Sequence, residues 1–107
     1  MDLFALDGRV AVVTGGNGGI GLGMAKGLAR AGASIVVAAR DPKKNKAAVR
    51  ELEAMSAQVL AVETDVRQTE SCRTLFSKAA EAFGAVDILI NNAGMNVRLQ
   101  PEEYDID

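Results

Sequence analysis

The sequence has no histidine and no tryptophan, and its 107 residues include one cysteine, one tyrosine and two prolines. Without histidine the chain lacks the commonest general base near neutral pH and the commonest nitrogen ligand for a metal, so no metal site is expected. A single cysteine, Cys72, cannot close a disulfide within the chain. It falls in an apolar helical pattern and reads as a buried core thiol. No apolar run reaches the length of a membrane span, and no basic N-terminal segment precedes a long apolar one. The expectation is a cytoplasmic protein with no membrane partner. Excess charge is missing too: 12 basic against 14 acidic residues, a net charge of −2 and a pI near 5.1 give no footprint for nucleic acid. The remaining composition, 49% hydrophobic and 24% charged, is that of one ordinary folded domain rather than a disordered chain.

Glycine, by contrast, is abundant and concentrated. Val10-Ala11-Val12-Val13-Thr14 runs straight into Gly15-Gly16-Asn17-Gly18-Gly19-Ile20-Gly21. A short apolar run bounded by glycines reads as a strand buried on both faces, as in parallel sheets. The glycines allow a tight turn and close approach of a ligand, and the helix behind them offers free N–H groups and a positive dipole end to a phosphate. Strand, glycine turn and helix together make a dinucleotide-binding unit.

The rest of the chain alternates. Residues 9–14 form the first strand. Ile20, Met24 and Leu28 then recur at intervals of four, with Ala25 and Ala29 beside them, and Gly32 supplies the stop. Residues 34–39 are a second strand. Asp41-Pro42 opens a helix, Asp as N-cap and Pro at the first helical position, which carries Ala48, Leu52 and Met55 on one face and Lys43, Lys44, Lys46 and Arg50 outward. Residues 58–63 are a third strand. Cys72, Leu75, Phe76, Ala79, Ala80 and Phe83 mark a third helix ended by Gly84, and residues 86–91 a fourth strand followed by Asn92-Ala93-Gly94. Such alternation with right-handed crossovers predicts an α/β fold, a Rossmann-type parallel sheet with helices on both faces and strand order 3-2-1-4. The glycine turn and the turn at residues 91–94 then lie side by side.

The glycines alone fit three spacings. Gly16, Gly18 and Gly21 give G-x-G-x-x-G; Gly15, Gly18 and Gly21 give the G-x-x-G-x-x-G of extended short-chain proteins such as sugar-nucleotide epimerases; Gly15, Gly19 and Gly21 give T-G-x-x-x-G-x-G. The second motif separates them. Asn91-Asn92-Ala93-Gly94 after Val86-Asp87-Ile88-Leu89-Ile90, with Thr14-Gly15 through Gly21 and Thr64-Asp65-Val66, resembles the cofactor half of the ordinary short-chain dehydrogenase/reductase family from end to end. The resemblance implies a dinucleotide held by Gly15, Asn17, Gly18, Gly19, Ile20 and Gly21. It implies that Asp65 and Val66 contact the adenine and that Asn91 ties strand four to the sheet. Ala93 and Gly94 would lie along the ribose and nicotinamide side, and Asn92 is counted with them among the cofactor-binding residues. Asp65 also fits a plain turn cap after strand three.

Choice of cofactor depends on the exit of strand two. A carboxylate there binds the ribose hydroxyls of NAD, whereas an arginine matches the extra phosphate of NADP. NAD-preferring relatives carry Asp where Ala39 stands, and Arg40 follows it. Asp41, about 20 residues past the last glycine, suits ribose binding by the general rule but is better explained as the helix cap. The basic residue that many NADP members carry inside the glycine turn is missing, with Asn17 near that place. The balance favours NADP(H), with NAD(H) as the alternative.

Family members exchange a hydride between nicotinamide and a ketone or secondary alcohol, and a Tyr followed four residues later by a Lys handles the proton. Here the single tyrosine, Tyr104, is followed by Asp105-Ile106-Asp107, so no catalytic residue is assigned. Strand four, apolar on both faces, would be a sheet edge in a chain that stops soon after it. Either residues 1–107 are the N-terminal cofactor-binding half-domain of a longer polypeptide, or the edge pairs with a partner such as a second copy. A homo-oligomer is expected of the complete protein. The resulting expectation is an NADP(H)-dependent oxidoreductase whose partners are the dinucleotide and a small carbonyl or alcohol. The alternatives are a dinucleotide-binding half-domain without turnover and an extended-type sugar-nucleotide epimerase.

Overall fold

In the computed structural model, residues 5–92 are described. The elements follow the alternation: β1 (Val10–Thr14), α1 (Gly19–Arg30), β2 (Ser34–Ala39), α2 (Pro42–Glu53), β3 (Val59–Glu63), α3 (Thr69–Phe83) and β4 (Ile88–Asn91). The four strands form one parallel sheet in the order β3-β2-β1-β4, as the crossovers require. Val12 is paired with Val36 on one side and Leu89 on the other, and Thr14 with Ala38 and Asn91. The ends of β1 and β4 are therefore level. No helix of the described residues is long and apolar enough to cross a membrane.

Period-two alternation divides the strand side chains between two layers. Ala11, Val13, Ile35 and Val37 pack against Ala25 of α1 and Ala48 and Leu52 of α2. Val10, Val12, Val36 and Ala38 pack against Leu75 and Ala79 of α3. Val12, Val13, Ile35, Val36 and Val37 are fully enclosed, and each such side chain contributes about 1.5–3 kcal/mol through burial. This dry central layer holds the strand ends, and hence the loops beyond them, in fixed register.

Local chemistry sets the element ends. Asp41 Oδ1 accepts from the amides of Lys43 (2.9 Å) and Lys44 (3.2 Å), and Pro42 occupies the first helical position, so Asp41 is the cap of α2. Gly84, at φ 88°, closes α3. β4 starts two residues later than the apolar run suggests. Asp87 explains the delay: its carboxylate takes the Val10 amide at 2.8 Å while its own amide donates to the Val10 carbonyl at 2.9 Å.

Two packing expectations are corrected. On α1 the buried positions are Gly21 and Ala25, whereas Ile20 is 61% and Met24 39% exposed. The fully enclosed positions beneath the helix hold a glycine and an alanine, Leu22 and Leu28 pack partly against the same core, and Ile20 and Met24 turn outward. Cys72 is half-buried rather than a core thiol. It lines a groove of about 980 Å³ beside Phe76 of α3 and Leu89 of β4.

Candidate functional site

The carboxyl ends of all four strands meet along one edge of the sheet, where three corners and one strand exit carry every candidate residue that is described. The first corner follows β1. The Gly15 amide donates to the Ala38 carbonyl at 2.8 Å, anchoring the turn to β2 as it leaves the sheet. Gly15 and Gly19 both have positive φ, 65° and 54°, a region that side chains other than glycine avoid. A Cβ on Gly21 would run into the Gly15 carbonyl and the Asn92 amide. Gly18, in contrast, is extended (φ −176°) with open space around it. The backbone thus demands glycine at 15, 19 and 21, the spacing T-G-x-x-x-G-x-G, and makes no such demand at 18. Gly16 is also tight, because its Cβ would lie 2.9 Å from the Val13 carbonyl.

Behind this corner α1 begins without any side-chain cap and with no acidic residue in its first turn. Its leading amides and the positive end of its dipole face outward, an arrangement suited to an anion. Asn17 is turned into the protein instead. Its Nδ2 donates to Asn45 Oδ1 at 3.1 Å, and Asn45 Nδ2 donates to the Ala39 carbonyl at 3.0 Å. Asn45 is only 3% exposed, so a buried amide bolts the glycine turn to the exit of β2. Sequence reasoning missed it, although it stands three residues before Ala48 on the same helical stripe.

Arg40 leaves β2 at the surface and makes no ion pair with another described residue. Beside it, the corner after β3 is closed by side chains. The Thr64 amide donates to the Ala39 carbonyl at 2.9 Å, the Asp65 amide to Ser71 Oγ at 2.8 Å, and the Gln68 amide to the Asp65 carbonyl at 2.9 Å. Arg67 grips the Asp65 carboxylate as a fork, Nε to Oδ1 and Nη2 to Oδ2, both at 3.0 Å, and its amide adds a third bond to Oδ1 at 3.0 Å. These bonds, the side-chain ones foremost, hold the Asp65 carboxyl down to about 2, below the usual 3.8, and raise Arg67. Asp65 is therefore a turn cap, with its charge fully developed at neutral pH. Val66 is exposed, and its amide donates to no group among the described residues.

The last corner follows β4. Thr14 Oγ1 lies 3.1 Å from Asn91 Oδ1 and 3.3 Å from the Ile90 carbonyl, which joins β1 to β4 through side chains. Asn92 Nδ2 donates to the Gly15 carbonyl at 3.3 Å, while its Oδ1 is buried and accepts no hydrogen bond from the described residues. The structure thus brings the glycine turn, Asn92, Arg40 and the Asp65–Val66 corner to one edge. Ala93 and Gly94 lie outside the described residues, as does Tyr104.

Residues 9–107 match the family model described as short chain dehydrogenase. The 2-dehydro-3-deoxy-D-gluconate 5-dehydrogenase of Escherichia coli is 38% identical over 105 residues, covering 97% of this chain and 40% of that protein. The crystal structure of L-sorbose reductase from Gluconobacter frateurii, complexed with NADPH and L-sorbose, superposes with a TM-score of 0.84 at 38% identity. It covers 99% of this chain and 40% of the reductase. A 7α-hydroxysteroid dehydrogenase complexed with NADH and 7-oxo glycochenodeoxycholic acid gives a TM-score of 0.83 at 35% identity, covering 88% of this chain and 37% of that one. The chain therefore spans about 40% of the length of the curated relatives it matches.

Proposed function

The chain belongs to the short-chain dehydrogenase family, and from that premise we propose that it is the dinucleotide-binding part of an NADP(H)-dependent oxidoreductase acting on a ketone or secondary alcohol. The observation that carries this reading is the corner after β1. Its glycines leave no room for a methyl group at position 21, and the helix behind it presents bare amides. Such a corner accepts a pyrophosphate through backbone donors and the helix dipole, with no side chain in the way.

The other residues fit the same ligand. The orphaned acceptor of Asn92 suits a ribose hydroxyl, which would satisfy an atom otherwise costly to bury. The free Val66 amide and the Asp65 carboxylate offer a donor and an acceptor to the edge of an adenine. Arg40, exposed and unpaired by any described carboxylate, suits the additional phosphate of NADP, whereas Asp41 is committed to capping α2. The nicotinamide, when bound, supplies the site that gives or takes hydride. Within the 107 residues no side chain is assigned to proton transfer.

The names of the Escherichia coli and Gluconobacter frateurii relatives make gluconate derivatives and ketoses the first substrates to try. A homo-oligomer is proposed for the whole protein. The second reading is a half-domain that binds a dinucleotide without turnover; turnover of any carbonyl substrate by the purified protein removes it. Cofactor choice is tested with Arg40→Asp. The substitution is expected to weaken NADPH binding by at least about 10-fold more than NADH binding, as one charge-assisted phosphate contact is lost and a repulsive carboxylate introduced. Equal losses for the two cofactors would contradict the phosphate role.

A further inference from the structure

The exits of β2 and β3 are hydrogen-bonded neighbours through the Thr64 amide and the Ala39 carbonyl. Arg40 follows one partner and Asp65 the other. The cation proposed to receive the NADP phosphate thus leaves the strand next to the one whose exit carries a carboxylate. Left alone, that arrangement would defeat itself. Asp65 would draw the Arg40 guanidinium to itself and would repel the incoming phosphate by its charge.

Arg67 removes the conflict. Its fork covers both Asp65 oxygens, and its amide adds a further bond to Oδ1. Bidentate pairing of this kind fixes geometry as well as charge, because both partners are planar and matched. We propose that Arg67 is a positioning residue for cofactor selection: by holding and neutralising Asp65 it leaves Arg40 free for the phosphate that distinguishes NADP from NAD. This proposal rests on the assignment of Arg40 made above. It is separate from any contact of Asp65 with adenine, because both cofactors carry the same adenine and would lose such a contact equally. The ratio of the two affinities isolates the effect.

The experiment measures the dissociation constants of NADPH and NADH by calorimetry, at low and at physiological salt. The proteins are the wild type, Arg67→Gln, Arg67→Lys and the double variant Arg67→Gln/Asp65→Asn. Arg67→Gln is expected to lower the preference for NADPH about 5-fold to 10-fold, more at low salt, since the groups involved are exposed and screened. Arg67→Lys restores part of the preference by charge alone. The double variant returns the ratio to within about 2-fold of the wild type, because the carboxylate that Arg67 controlled is gone. A wild type that prefers NADPH together with an unmoved ratio in Arg67→Gln overturns the proposal and leaves the Arg40 assignment standing. A ratio that falls in Arg67→Gln but stays low in the double variant overturns the route through Asp65. A wild type that prefers NADH overturns the Arg40 assignment, and this proposal with it.

Discussion

The corners after β1 and β3 do the same topological work by opposite means. After β3 the chain is stapled by its own side chains: Ser71 takes the Asp65 amide, Arg67 grips the carboxylate, and Cys72 Sγ lies 3.6 Å from the Val66 carbonyl. After β1 the turn has almost no side chains of its own, and the helix that follows has no cap. What holds it comes from elsewhere in the chain, Asn45 through Asn17 and Asn92 through the Gly15 carbonyl. A corner that keeps the amides at its helix start bare for a ligand cannot use them to hold itself. It commits the Gly15 amide to the Ala38 carbonyl instead. The rest of its rigidity must be supplied by neighbours, and here two part-buried asparagine contacts supply it.

The sharpest way to break this contrast is Gly21→Ala. Its methyl group collides with the Gly15 carbonyl and Asn92, and overpacking of this kind against backbone costs about 1–3 kcal/mol or more. The expected result is loss of dinucleotide binding by at least about 100-fold, read by calorimetry, with a lowered urea midpoint. Gly18→Ala, facing open space, is expected to change stability by no more than about 1 kcal/mol, the difference between a glycine and an alanine cap. Similar effects at 18 and 21 would return the choice among the three glycine spacings to where the sequence leaves it.

Asn45→Leu comes next. It keeps the helical face but removes the partner of Asn17 and leaves the Ala39 carbonyl without its donor, a loss of about 1–3 kcal/mol by denaturant titration. Dinucleotide affinity should fall with it, since the glycine turn is no longer tied to β2. Ser71→Ala, at the self-stapled corner, removes one acceptor from the Asp65 amide and is expected to cost about 1 kcal/mol. The smallest effect is a pH dependence. The folded Asp65 carboxyl sits at about 2, below its ordinary 3.8. Its contribution is therefore complete above the ordinary value and is lost as pH falls through about 2. The Tm advantage of the wild type over Arg67→Gln should be constant from neutral pH to about pH 5 and vanish near pH 2.

The sheet order was legible because each strand is a short apolar run and each helix carries its own punctuation, Asp41-Pro42 at one start and Gly84 at one end. The glycine turn was legible as a ligand cradle but not as one spacing, since a glycine required by positive φ and one in open space look alike as letters. Asn45 was hidden for a different reason. A polar residue on an amphipathic helix reads as part of the wet face until the tertiary partner that buries it, the Ala39 carbonyl, is known. Ile20 and Met24 misled in the reverse sense, because α1 faces the sheet with Gly21 and Ala25, flanked by Leu22 and Leu28, and leaves Ile20 and Met24 outside. Arg67 carried no signal at all, since an arginine two residues beyond an aspartate is ordinary composition until the fork between them is seen.

The most direct measurement is a titration of the purified protein with NADPH, followed residue by residue through its backbone amide resonances. The account predicts saturable shifts, largest at Gly19, Ile20 and Gly21, with further shifts at Arg40 and Val66 and none at Gly32 or Ser56 on the opposite edge of the sheet. An absence of saturable shifts, or shifts confined to that opposite edge, would contradict it.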